Sequence, residues 1–133
     1  EPMNLNQLAR YSIYFTSAFM FLPAGRDIFA PGATLMPGDD KLFAQMFTDR
    51  SKVGYTFMWN LWGLNWIVIH LMKIMATAAN KTDFMKLGFV HGVLVTGKLI
   101  QDFGKMSAVG ADASGFLTIF AIETLAFAKL LLF

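Results

Sequence analysis

The stretch VGYTFMWNLWGLNWIVIHLMKIM, residues 53–75, carries a single formal charge, Lys73. A helix that crosses a bilayer needs about 20 mostly apolar residues, and this run supplies them. The rest of the chain agrees with it. Apolar residues make up 56% of the 133 and charged residues 15%, against roughly 45–50% and about 25% in soluble domains. A soluble domain of this size would lack the polar groups to cover its surface. The sequence therefore reads as one all-α domain, residues 1–133, of an integral membrane protein.

Three further stretches qualify as spans. LNQLARYSIYFTSAFMFL (5–22) has Arg10 near its start, free to snorkel, and Pro23 and Gly25 as terminators. FMKLGFVHGVLVTGKLIQDF (84–103) and GFLTIFAIETLAFAKLLLF (115–133) follow. About four transmembrane helices are expected. Residues 23–52 read as a Gly- and Pro-rich loop. Within it, KLFAQMFTDR (41–50) sets Leu42, Phe43, Met46 and Phe47 on one helical face. That is a short interfacial helix between spans one and two, or an amphipathic turn packed on the loop. Asn80 and Thr82 are candidate N-caps for the third span. The connections after spans two and three are short, so spans two, three and four are expected as antiparallel neighbours.

Polar residues inside these spans are the candidates for function. At 100° per residue, Trp59, Trp66 and His70 fall within about 40° of one another, and Gly63 lies about 20° from His70. A planar ring system could lie on that stripe with the imidazole beneath it, since neutral imidazole is a good axial ligand for Mg or Fe in a tetrapyrrole. His91 repeats the theme beside a small-residue ridge, Gly88, Gly92 and Thr96. Such a ridge admits a helix or a macrocycle close to the backbone. The plainer reading of both histidines is a hydrogen bond across a helix interface. Glu123 lies deep in the fourth span, where a bare carboxylate costs several kcal/mol, so it is expected to be protonated, paired or coordinating. Arg10, Lys98 and His91 are its candidate partners on other spans. Asn60 and Asn65 are expected to hydrogen-bond between helices.

Several function classes are excluded. There is no cysteine, so disulfides and thiolate metal sites are ruled out. A net charge of +2 with no basic stripe gives no reason to expect nucleic acid. Two His and one intramembrane Glu are too few for a membrane iron enzyme, and neither a phosphate loop nor a nucleophilic triad is present. No enzymatic activity is expected of the chain alone.

A small four-span chain with one histidine in each of two aromatic-rich spans, WGLNWIVIHLM (62–72) and LGFVHGVLV (87–95), resembles the accessory subunits at the rim of photosystem I in algae of the red-plastid lineage. The likeness covers the whole chain as a pattern. It is distinct from the chlorophyll-binding antenna family, which carries a Glu ahead of NGR-x-AM; here Ile100 stands four residues before Gly104. The resemblance implies a thylakoid location in a plastid. It also implies chlorophyll and carotenoid at the edges, contact with lipid and with other membrane subunits of a large complex, and a bridging role between core and antenna proteins. An accessory subunit of a respiratory complex and a free-standing four-helix enzyme or carrier remain as other classes.

Overall fold

The computed structural model describes residues 2–46 and 53–133. Among these the only regular elements are α-helices: α1 Leu5–Phe19, α2 Phe21–Phe29, α3 Asp39–Met46, α4 Val53–Ala78, α5 Thr82–Ala108 and α6 Ser114–Leu132. Phe47, Asp49, Arg50 and Lys52 lie outside the described residues.

α1, α4, α5 and α6 form a four-helix bundle. α1 packs on α4 and α6, and α5 packs on the same two, so α4 and α6 face each other across one diagonal. Both hairpins end on left-handed residues. Asn80 (φ +52°) follows α4, with Lys81 N–H donating to the Ala76 carbonyl at 2.8 Å. Gly110 (φ +83°) follows α5, with Ala111 N–H donating to Met106 at 3.0 Å. Each satisfies a carbonyl that the helix end leaves open. Asn80 is thus a C-terminal cap of α4. The N-cap position of α5 is Lys81, and no side chain caps it, which corrects the expectation that Asn80 or Thr82 would. Arg10 does not snorkel outward. Its guanidinium donates to Thr77 O at 2.6 Å and Asn80 Oδ1 at 3.0 Å, placing a cation at the negative end of α4.

α4 and α6 are long and apolar enough to cross a membrane, and only 28% and 22% of their apolar windows are buried inside the protein. That is the reverse of the core helix of a soluble protein, which hides most of its surface. α1 is shorter than expected. It breaks at Met20, and α2 runs on through Pro23 and Gly25, the residues expected to end it. Proline in the body of a helix deprives the carbonyl four residues back of its donor. Here that carbonyl is Phe19's, at the end of α1. In α2 itself Pro23 sits in the first turn, where an N–H has no intrahelical partner to lose.

α2 lies along α4. An added Cβ at Gly63 would come within 2.6 Å of the Ala24 carbonyl, so the two backbones touch there. The Asn60 amide nitrogen, turned toward α2, donates to the carbonyls of Asp27 and Ile28 at 3.0 and 2.9 Å. α3 turns Phe43 inward, where its ring meets Trp59 edge-on at 5.0 Å. Of its expected apolar face, Phe43 is thus packed inside and Leu42 is half-buried; the Met46 side chain and Phe47 lie outside the described residues. Gly38 (φ +86°) holds the start of α3 against the α5–α6 turn, 2.7 Å from Gly110 O to its would-be Cβ.

Candidate functional site

The four bundle helices each send a polar side chain to one level of the core. Lys73 and Glu123 are fully buried and form an ion pair across the α4–α6 diagonal. Lys73 Nζ also lies 2.8 Å from His91 Nδ1 on α5. The other carboxylate oxygen of Glu123 accepts from Ser17 Oγ at 3.0 Å and lies 3.1 Å from Thr16 Oγ1, both on α1. One carboxylate thus joins α6 to α4 and α1, and the lysine carries the connection to α5. A buried charge persists only when it is paired and hydrogen-bonded, and this pair meets both conditions.

The expected partners of Glu123 were Arg10, Lys98 and His91. The actual cation is Lys73. Arg10 caps α4, and Lys98 bonds Asp102 at 2.7 Å on the outer face of α5. His91 reaches Glu123 only through Lys73.

His70 is enclosed at 0% exposure. Its ring stacks on Trp66 (centroids 5.5 Å, planes 7° apart), with Phe120 at 5.9 Å and His91 at 6.1 Å. Neither ring nitrogen has a hydrogen-bond partner among the described residues, and Nδ1 is 3.8 Å from Glu123 Oε2. The space a macrocycle would need beneath this imidazole is filled by protein on every side. Gly63, the expected shelf, is covered by α2. Trp59 is buried against Phe43 and Tyr55, away from His70. Trp59, Gly63 and His70 face inward while Trp66 stays half-buried, and His70 is not placed to ligate a pigment.

The Gly88–Gly92–Thr96 ridge serves helix approach. A Cβ at Gly88 would sit 2.8 Å from the Phe127 ring, and one at Gly92 would sit 2.5 Å from Thr124 Oγ1. Thr96 and Thr124 hydroxyls lie 3.4 Å apart. α6 occupies the face on which a macrocycle was considered.

One groove that opens outward, of about 260 Å³, runs along α4 where His91 of α5 borders it, lined by Met58, Leu61, Trp62, Asn65, Trp66, Ile69 and His91. Asn65 is exposed on this face and not between helices as expected. On the other side of Trp62 and Trp66 lies a second hollow of about 200 Å³, bounded by α2 and Phe116, with Arg26 and Asp27 at its edge. No group of three or more metal-ligating side chains occurs among the described residues.

The partnership of Lys73 with Glu123 and the groove beside His91 were missed in the sequence. For the first, the signal was present: Lys73 is the one formal charge in residues 53–75, and an intramembrane carboxylate calls for a cation. No protein-family model, curated protein or solved structure matches this chain.

Proposed function

We propose that the chain is a non-catalytic structural subunit of a photosynthetic membrane complex, at the rim of photosystem I in a plastid thylakoid. It holds chlorophyll or carotenoid against its outer grooves and bridges core and antenna proteins. In this reading four segments span the bilayer: residues 5–22, α4, α5 and α6. The observation that carries it is the inverted distribution of polarity. Lys73, Glu123 and His70 are sealed inside, whereas Phe15, Val68, Leu94 and Leu125 are each about two-thirds exposed or more. A surface of that kind is solvated by lipid tails, pigments or apolar neighbours. The buried ion pair supports the non-catalytic part. Its oxygens and nitrogen are spent on one another and on Thr16, Ser17 and His91.

The photosystem assignment draws on the resemblance of residues 62–72 and 87–95. The fit of pigment to this chain is uneven. His70 offers no access to a chlorin. The α4–α5 groove offers the indoles of Trp62 and Trp66, apolar flanks and two polar groups, the composition that suits one side of a conjugated ring. The remainder of such a ring would lie against lipid or a neighbouring subunit.

The test is isolation of the native complex through an affinity tag on this chain, followed by its absorption spectrum and subunit composition. Chlorophyll bands together with photosystem core subunits are the expected result. A complex with haem or flavin absorption and no chlorophyll would replace this reading with a respiratory accessory subunit. Turnover by the isolated chain would replace it with an enzyme.

A further inference from the structure

The position of one hydrogen on His91 follows from its neighbours. Lys73 Nζ lies within hydrogen-bond distance of both Glu123 and His91 Nδ1. As an ammonium it has no lone pair, so it donates to Nδ1. If the proton sits on Glu123 instead, the carboxyl O–H takes the amine's lone pair, and a remaining N–H still donates to Nδ1. If the proton sits on His91, both ring nitrogens carry hydrogen. Nε2 is freed only where Lys73 is neutral and turns its lone pair to an Nδ1–H, which gives up the ion pair between Lys73 and Glu123. With Lys73 and Glu123 ionised as that pair, Nε2 carries the hydrogen. An N–H nitrogen has no lone pair in the ring plane and cannot ligate Mg.

That N–H faces outward. Nδ1 points inward to Lys73, the ring is half-buried, and His91 lines the groove with Trp62, Asn65 and Trp66. The Trp66 indole stands edge-on to the imidazole at 5.9 Å. A donor aimed into an apolar, lipid-facing groove loses free energy unless an acceptor meets it.

We infer that His91 donates its Nε2–H to the carbonyl oxygen of a conjugated ring ligand seated in the α4–α5 groove, between the indoles of Trp62 and Trp66. The chemistry recognised is a cyclic conjugated ketone on a flat apolar frame. The keto group of a chlorin supplies it, and so does a quinone. The chlorin source rests on the pigment reading above; the quinone source does not.

The full chain in detergent micelles tests this by quenching of tryptophan emission, because Trp62 and Trp66 line the groove. The probes are chlorophyll a, pheophytin a (the same ring and keto group without Mg) and decylubiquinone. A donor role predicts that chlorophyll a and pheophytin a bind alike. It predicts that His91→Phe weakens both about fivefold, the loss of one ordinary hydrogen bond, and that His91→Gln retains most of the affinity. Decylubiquinone binding with the same His91 dependence, and no chlorin binding, keeps the donor role and sinks the pigment reading. Chlorophyll a bound without pheophytin a would mean Mg ligation and overturn the inference. So would equal affinity in His91→Phe for every probe that binds, or no binding by any of the three. If His91→Phe does not fold, the chlorophyll–pheophytin comparison in the parent chain still decides between donor and ligand.

Discussion

Glu123 and Asp39 each gather a cation and several donors, one where four helices meet and the other where a loop meets a helix. Glu123 accepts from Lys73, with Ser17 and Thr16 on its second oxygen, and all of it is sealed from solvent. Asp39 Oδ2 accepts from Arg26 at 3.0 Å and from the backbone N–H of Leu35 and Met36 at 3.0 and 2.7 Å. Arg26 also bonds Asp27 at 2.7 Å and lies over the Phe43 ring at 4.8 Å. Its side chain stays 10% exposed. The two clusters use similar groups to different ends. The end cluster organises the residues between α2 and α3 and lies at the edge of the fold, with its carboxylates buried and only Arg26 reaching solvent. The central cluster sets which helices are neighbours, and nothing can replace a partner there.

The sharpest way to break this contrast is to remove one member of the central pair. Lys73→Met leaves the Glu123 carboxylate buried without its cation and is expected to cost about 3–5 kcal/mol. Glu123→Leu, which strands the ammonium, falls in the same range. The double variant Lys73→Met/Glu123→Leu should recover most of the loss, because apolar replacement of a whole buried pair is often neutral. The hydroxyl of Thr16 still has the Ser12 carbonyl at 2.8 Å to bond. Thermal unfolding in detergent measures all three. A double variant as unstable as the sum of the singles would mean that the pair acts independently of each other. His70→Leu sharpens the point from the other side. Both ring nitrogens lack hydrogen-bond partners among the described residues, so this change is expected to stay within about 1 kcal/mol of the parent, with pigment content per complex unchanged.

At the end cluster, Arg26→Ala should cost less than the central singles, about 1.5–3 kcal/mol, the usual worth of hydrogen bonds to charged groups. Its signature is local. Hydrogen exchange at the Leu35 and Met36 amides should rise, while amides in the middle of α4 and α6 keep their protection. Uniform loss of protection across the bundle would show that the end cluster sets global stability after all.

A third comparison uses glycines. Gly92→Ala drives a methyl to 2.5 Å from Thr124 Oγ1, and overpacking of that kind costs about 1–3 kcal/mol. Gly25→Ala meets nothing within 4 Å and should gain up to about 1 kcal/mol from helix propensity. Opposite signs in thermal unfolding are expected, and a destabilising Gly25→Ala would contradict the open position of that glycine on α2.

These sites also show what the sequence could reveal. Residues 53–75 and 115–133 match α4 and α6 closely, because apolar length is a local property. Glu123 was recognisable as a group needing a partner for the same reason. Its partner was signalled only by Lys73 being the one charge in residues 53–75, since a helical wheel assigns faces within one helix and says nothing about which helix stands across the bundle. Lys73 is 50 residues away, on the diagonal. The inward turn of Trp59, Gly63 and His70 was hidden because α2 was read as loop. Pro23 and Gly25 are breakers on average, yet here both lie inside a helix, Pro23 in its first turn. That helix covers the face which otherwise would have been open to a pigment. Asn80 shows the same ambiguity on a smaller scale, since Asn serves both N-caps and left-handed C-terminal caps.

The smallest expected effect separates two carboxylates by the direction of their pH response. Burial pushes the Asp27 carboxyl above its usual 3.8, with Arg26 opposing only in part. The folded chain then binds that proton more tightly than the unfolded one, so stability falls as pH rises from about 3.8 through the raised value. Asp112 behaves in the opposite sense. Its hydrogen bonds with Ser114, including one from the backbone N–H at 2.9 Å at the start of α6, hold its carboxyl below 3.8. The stability it adds is present above 3.8 and is lost as pH falls through the lowered value. Asp27→Asn should therefore remove a decline of Tm on the alkaline side of 3.8, and Asp112→Asn should remove a decline on the acid side. Tm followed from about pH 3 to about pH 7, the range in which carboxylates titrate, reads both curves. Two variants that change the curve on the same side would mean that burial at α2 and capping at α6 do not govern these two groups.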